Sequence, residues 1–213
     1  MKSKSFYYTL VITAIFIAII LILAFTPIGF IQLGFIKATI IHIPVIIGSI
    51  LLGPKIGAGL GALFGLTSLI SNTISPAVLS FVFSPLIPVP GTDSGSWLSL
   101  IICFIPRILV GIVPYYVYKL LLKISKNKLR LDWVFLSVSG IVGSMVNTLL
   151  VMNLIFFLFH DSYAYVKSIT VDMVYGAVMT VVAVNGIPEA IVAGIITAAM
   201  GKVLFKMKMN KKL

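Results

Sequence analysis

The sequence is short of nearly everything a soluble enzyme uses. Of 213 residues only 10% are charged, just five are acidic, two are histidine and one is cysteine. A soluble domain carries roughly 25% charged residues, so water is not the main solvent of this chain. A lone cysteine, Cys103, excludes an intrachain disulfide, and with two histidines it leaves no zinc-ligand pattern. Cys103 lies within an apolar run and reads as a buried structural thiol. Asp93, Asp161, Asp172 and Glu189 are spaced too irregularly to make a carboxylate pair. No phosphate-binding lysine loop, H-E-x-x-H or G-x-S-x-G occurs. No catalytic residue, metal or cofactor is therefore expected, and binding or transport is favoured over catalysis.

Long apolar runs fill the chain instead. Hydrophobic residues make up 60% of it, and the mean hydropathy is +1.19. At about 20 residues per span the length accommodates roughly six helices in a single domain covering residues 1–213. The first run, Phe6–Phe25, follows Lys2 and Lys4 as the core of a signal peptide would. It is longer than such a core and no A-x-A site follows, so it reads as a retained helix. Further helices are expected over Ala38–Leu52, Ile56–Ile70, Trp97–Leu122, Trp133–Phe159 and Pro188–Phe205. Gly53-Pro54-Lys55 makes a tight turn, and Gly57, Gly59, Gly61 and Gly65 give the third helix a small-residue face for close helix contact. Two long connectors separate these runs, Ser71–Ser96 with Pro76, Pro85, Pro88 and Pro90, and His160–Val184. The first has the length of a functional loop or lid. The apolar second half of the other suggests a re-entrant segment.

The net charge of +11 could point to nucleic acid, but the basic residues sit at the ends of the apolar runs. Lys2, Lys4, Lys55, Lys119, Lys123, Lys126, Lys128, Arg130, Lys202, Lys206, Lys208, Lys211 and Lys212 all fall on one side of a six-helix scheme. Lys37 and Lys167 fall on the other, leaving Arg107 within the fourth helix. By the positive-inside rule this predicts an all-α membrane protein of six spans, both termini in the cytoplasm, with long outer loops.

Arg107 is the most informative residue. It lies about ten residues into its helix, some ~15 Å deep, where a guanidinium needs a partner or a cavity. Two readings stand: a buried ion pair or carbonyl clamp, or a group that grips a ligand's carboxylate. Glu189 is the natural partner in the first, although its place in the first turn of the sixth helix also suits a carboxylate by itself. Asn185 caps that helix or touches a ligand. Asn147 and Asn153 must face the bundle, where they bond to neighbouring helices or to a ligand. His42 reads as a packed residue, and Thr67, Ser68 and Asn72 could line a common outer cavity. Ala14 and Ala18 form an A-x-x-x-A stripe that another helix could approach closely.

Six helices, the Ala14-x-x-x-Ala18 stripe and long outer loops resemble the S component of an energy-coupling factor (ECF) vitamin transporter. The stretch His42–Lys55, Gly65-Leu-Thr-Ser68, Phe83-Ser-Pro85 and Pro106-Arg-Ile-Leu-Val-Gly111 resembles the branch that contains the pantothenate S components. The likeness covers nearly the whole chain. It implies a subunit of a bacterial cell membrane that captures a vitamin from outside. It also implies docking on a transmembrane coupling subunit that carries two cytoplasmic ATPases, followed by toppling to deliver the ligand. Ala14 and Ala18 match the docking face. Gln32, Arg107, Asn147, Asn185 and Glu189 match the places around the vitamin. Other vitamins, such as folate or cobalamin, stay open, as do a stand-alone carrier of a small organic anion and a membrane enzyme or assembly factor.

Overall fold

The computed structural model describes residues 2–33, 36–125 and 132–210. Of the basic residues that set the predicted topology, Lys126, Lys128, Arg130, Lys211 and Lys212 lie outside them. The chain is almost wholly helical. Helix α1 (Lys2–Phe25) is apolar all round and buries Phe16, Ile20 and Ala24, a stripe of period four that faces the bundle. The rest of its apolar surface is left largely uncovered, as suits a helix surrounded by lipid or by other membrane helices.

The expected all-α fold is corrected at one place. The segment foreseen as a loop and the start of a helix forms an antiparallel hairpin, β1 (Phe30–Leu33) with β2 (Ile36–Thr39), in which Gln32 pairs with Lys37. Phe30, Ile31, Ile36 and Thr39 are aromatic or β-branched and suit strands better than helix. Helix α2 consequently starts only at His42 and ends at Leu52. Its 11 residues span only ~16 Å, about half a hydrocarbon core, yet every residue from His42 to Leu51 is buried. It is the central pillar of the bundle. Gly53 closes it at φ 95°, a conformation that L side chains rarely adopt, and Pro54 opens α3 (Pro54–Ile74) at a position where its missing N–H costs nothing.

The predicted fourth helix breaks at Gly111 into α4 (Leu98–Val110) and α5 (Val113–Ile124). Helix α6 (Asp132–Lys167) runs through the bundle, with non-helical geometry at Phe159. Tyr118 donates to the Asp132 carboxylate and ties α5 to its start. The second long connector is not a loop: α6 continues to Lys167, and α7 (Val174–Val181), a π turn (Val182–Gly186) and α8 (Ile187–Asn210) follow as one apolar helical run. Pro188 therefore sits inside helical structure, two residues after the π turn. Among the described residues five helical stretches are long and apolar enough to cross a bilayer: Phe6–Phe25, Pro54–Ile74, Leu98–Ile124, Asp132–Lys167 and Val171–Gly201.

Two apolar cores result. One gathers α1, α2 and the neighbouring parts of α3, α6 and α8 around Ile20, Ile46 and Leu60. The other packs Phe81, Val82, Ile102, Ile155, Tyr163 and Val178. Phe81 and Val82 belong to the Ser71–Ser96 connector, so this segment is not a free lid. Ser80 donates to the Asn72 side chain at 2.7 Å, and Ser84 bonds Thr73 at 2.7 Å. Both staple the connector onto the end of α3.

Candidate functional site

A cavity of about 480 Å³ opens where the two cores meet. Ala24, Ile41 and Phe64 come from the first core and Phe83 packs against the second. Apart from Ala77, its remaining lining is polar: Thr39, Thr67, Ser68, Ser71, Asn72, Ser75, Arg107, Asn147 and Glu189. Such a volume and such a mixture of apolar wall and convergent polar groups are those of a small-molecule site. A groove of similar size opens between α6 and the start of α7, lined by Phe156, Phe157, His160, Asp172 and Tyr175. The Phe156 ring there packs on Phe157 and Tyr175 at 5.3 Å, and no buried charge faces it. It lacks the enclosed donor set of the first.

Two crossing helices, α3 and α4, place Arg107. Gly57, Gly61 and Gly65 of α3 lie against Gly111, which follows α4, and against Arg107 and Cys103 within it, backbone on backbone. A Cβ on Gly61 would collide with the Arg107 carbonyl oxygen. Gly59, expected on the same face, points into open space, as two residues of offset on a helix dictate. Cys103 is the buried structural thiol expected, its Sγ donating to the Gly65 carbonyl at 3.1 Å. Held in this way, Arg107 is 6% exposed. Its guanidinium carbon sits 4.9 Å from the centre of the Phe83 ring and 5.5 Å from that of Phe64. Nη1 donates to the Ile102 carbonyl at 2.6 Å, while Nε is buried without a partner.

Glu189 reaches the same cavity but does not neutralise Arg107. Among the described residues neither joins an ion pair. Glu189 Oε1 instead accepts the Thr39 N–H at 2.7 Å, fastening the end of β2 to α8. The free helix N-terminus expected around Glu189 is absent, because helical structure precedes it. The third predicted residue in the lining, Asn147, has its Oδ1 buried with no hydrogen bond. Asn185 sits half-buried in the π turn and is not in the lining. Gln32 contributes its backbone to β1, and its side chain lies outside the described residues.

The other polar residues sort clearly. Thr67, Ser68 and Asn72 line the cavity. Asn153 bonds back to the Leu149 carbonyl of its own helix at 2.7 Å and lies elsewhere. His42 is packed, 1% exposed, with neither ring nitrogen bonded. Sequence reasoning missed the two phenyl walls, Phe64 and Phe83, and the hydroxyls of Thr39, Ser71 and Ser75. Phe83 lies far from Arg107 in sequence, and no periodicity links them. Ser68, Ser71 and Ser75 do carry a signal, a three- and four-residue spacing that sets them on one face at the end of α3.

The site is thus a polar cavity within an apolar bundle, with one buried cation, Arg107, that forms no ion pair among the described residues, and one acid, Glu189, bonded instead to the Thr39 N–H. Comparison with known proteins agrees in kind. The chain is 41% identical over 211 residues to the pantothenic acid transporter PanT of Lactococcus lactis subsp. cremoris (strain MG1363), an alignment that covers 98% of each protein. Residues 8–201 match the family of the ECF transporter substrate-specific component. The chain is a multi-pass membrane protein and belongs to that family, the substrate-specific components of ECF transporters.

Proposed function

We propose that this chain is the pantothenate-binding subunit of an ATP-driven importer in a bacterial cell membrane. The observation that carries the reading is Arg107, a buried guanidinium in the lining of a polar cavity, whose Nε has no partner. A charge that deep is costly unless it is matched. Pantothenate brings one carboxylate, one internal amide and two hydroxyls. Arg107 takes the carboxylate, and the Asn147 Oδ1 accepts from a hydroxyl or from the amide N–H. Gln32 and Asn185, on the hairpin and on the π turn beside it, add contacts when the hairpin seats over the ligand. Glu189 serves the site through Thr39.

The same reading orients the molecule. Both termini are cytoplasmic and the short α2 counts as the sixth crossing. The cavity then opens outward, beneath the hairpin and the Ser71–Ser96 connector. Ala14 and Ala18 are exposed. They lie two residues from the buried stripe of Phe16 and Ile20, about 200° around the helix, and so face away from the bundle. That face meets the transmembrane coupling subunit, whose two ATPases supply the energy that this chain has no site to harvest.

Titration calorimetry of the purified protein with pantothenate tests the reading. Binding is expected for pantothenate but not for folate or cobalamin. Arg107→Ala should weaken it by about 2–4 kcal/mol, roughly 30- to 1,000-fold. Arg107→Lys should recover part of the loss, since an ammonium lacks the planar fork. Unchanged affinity in Arg107→Ala would remove Arg107 as the anion site, and heat only from another vitamin would reassign the ligand.

A further inference from the structure

Helix α4 runs unbroken through Pro106, the residue before Arg107. Proline has no N–H, so the carbonyl four residues earlier loses its helical donor. That carbonyl belongs to Ile102, and it accepts Arg107 Nη1 at 2.6 Å. The orphan created by the proline is filled by the side chain next to it. In a low-dielectric interior an unfilled carbonyl would be unfavourable, as would an unbonded guanidinium N–H. Each therefore holds the other in place.

The remaining freedom of the guanidinium is small. Phe64 and Phe83 contact it from α3 and from the connector, and the Gly61 contact fixes the backbone beneath it. With Nη1 bound to Ile102, covalent geometry leaves the Nε–Nη2 edge, whose Nε has no partner. Two parallel N–H groups on one edge match the two oxygens of a carboxylate.

We propose that Pro106 is a positioning residue of the anion site. By freeing the Ile102 carbonyl it parks one end of Arg107 and commits the opposite edge to the ligand's carboxylate. The proposal rests on the assignment of Arg107 to carboxylate binding made above.

The test compares pantothenate with its primary amide, in which the carboxylate is gone. Dissociation constants for both are measured on wild type, Pro106→Ala, Arg107→Ala and the double variant, with thermal melts of each. Pro106→Ala restores an N–H to Ile102, which then competes with the guanidinium. The preference for acid over amide should fall by about tenfold, through loss of fixed bidentate geometry. The melting temperature should hold or rise, because alanine is the better helix former. In the Arg107→Ala background the proline change should not alter the preference further, since the two residues act as one unit. A merely structural role for Pro106 would weaken both ligands equally and leave the preference intact, which overturns the proposal. So would a protein that fails to fold with either alanine or glycine at position 106, for Pro106 would then be a folding residue. If Arg107→Ala itself leaves the preference unchanged, the carboxylate assignment fails first and the proposal falls with it.

Discussion

Arg107 and Glu189 share one cavity without sharing a bond, and this divides their roles. An ion pair would have left neither free for a ligand, and removing one partner would have stranded the other. Here the carboxylate of Glu189 accepts the Thr39 N–H, a charge-assisted bond of roughly 1.5–3 kcal/mol. It ties the end of the hairpin to α8 beside the cavity. Glu189→Ala should therefore speed pantothenate release by about tenfold or more, because a bond of that size has been lost. Glu189→Gln, whose amide carbonyl still accepts, should change release much less. Stopped-flow dissociation of a bound fluorescent analogue measures both. If Glu189→Gln instead rescued the stability of Arg107→Ala, the pair would be electrostatic after all.

At the scale of elements, the crossing of α3 on α4 fixes the floor of the site. Lipid tails are as apolar as leucine, so helices in a bilayer gain little from hiding apolar surface and associate through close packing. Three glycines at four-residue spacing bring the two backbones together at Gly111, Arg107 and Cys103. Gly61→Ala places a methyl group against the Arg107 carbonyl. It should cost about 1–3 kcal/mol as overpacking, and weaken ligand binding by moving Arg107. Gly59→Ala meets nothing, and should be neutral or stabilise by up to about 1 kcal/mol. Thermal melts in detergent, paired with calorimetry, separate the two. Equal effects would mean that the stripe has no part in the crossing.

For the whole molecule, the decisive element is the short helix α2. If α2 crosses, Lys55 shares the cytoplasmic side with the N-terminus and Asp93 lies outside. Single cysteines at Lys55 and Asp93, both exposed, should be labelled from the cytoplasm and from outside respectively; the native Cys103 is buried and stays silent. Outside labelling at Lys55 would leave five crossings and put the two termini on opposite sides. The face of α1 turned away from the bundle carries the matching prediction about assembly. Ala14→Trp or Ala18→Trp should spare pantothenate binding by the isolated subunit, since the cavity is elsewhere, but abolish ATP-dependent uptake in cells. Normal uptake by both variants would return that face to the lipid.

The amino-acid sequence by itself determined the solvent. Too few charges and too many apolar runs admit no other reading than a bundle in lipid, because hydropathy acts locally and adds along the chain. It likewise determined Arg107 as the residue to explain, since a lone cation inside an apolar run stands out without any neighbour being known. Its neighbours were another matter. That Glu189 would bond Thr39 rather than Arg107, that Phe83 would cross from a distant connector to lie on the guanidinium, and that Asn147 would line the cavity while Asn153 would not, depended on how the helices cross and rotate. The hairpin before α2 and the helical run through the second connector were also hidden, for short apolar segments carry no period that separates strand, loop and helix. Only packing decides these: the contacts of Arg107 with Phe64 and Phe83 join groups far apart in sequence, on a crossing of α3 and α4 held close by Gly57, Gly61 and Gly65.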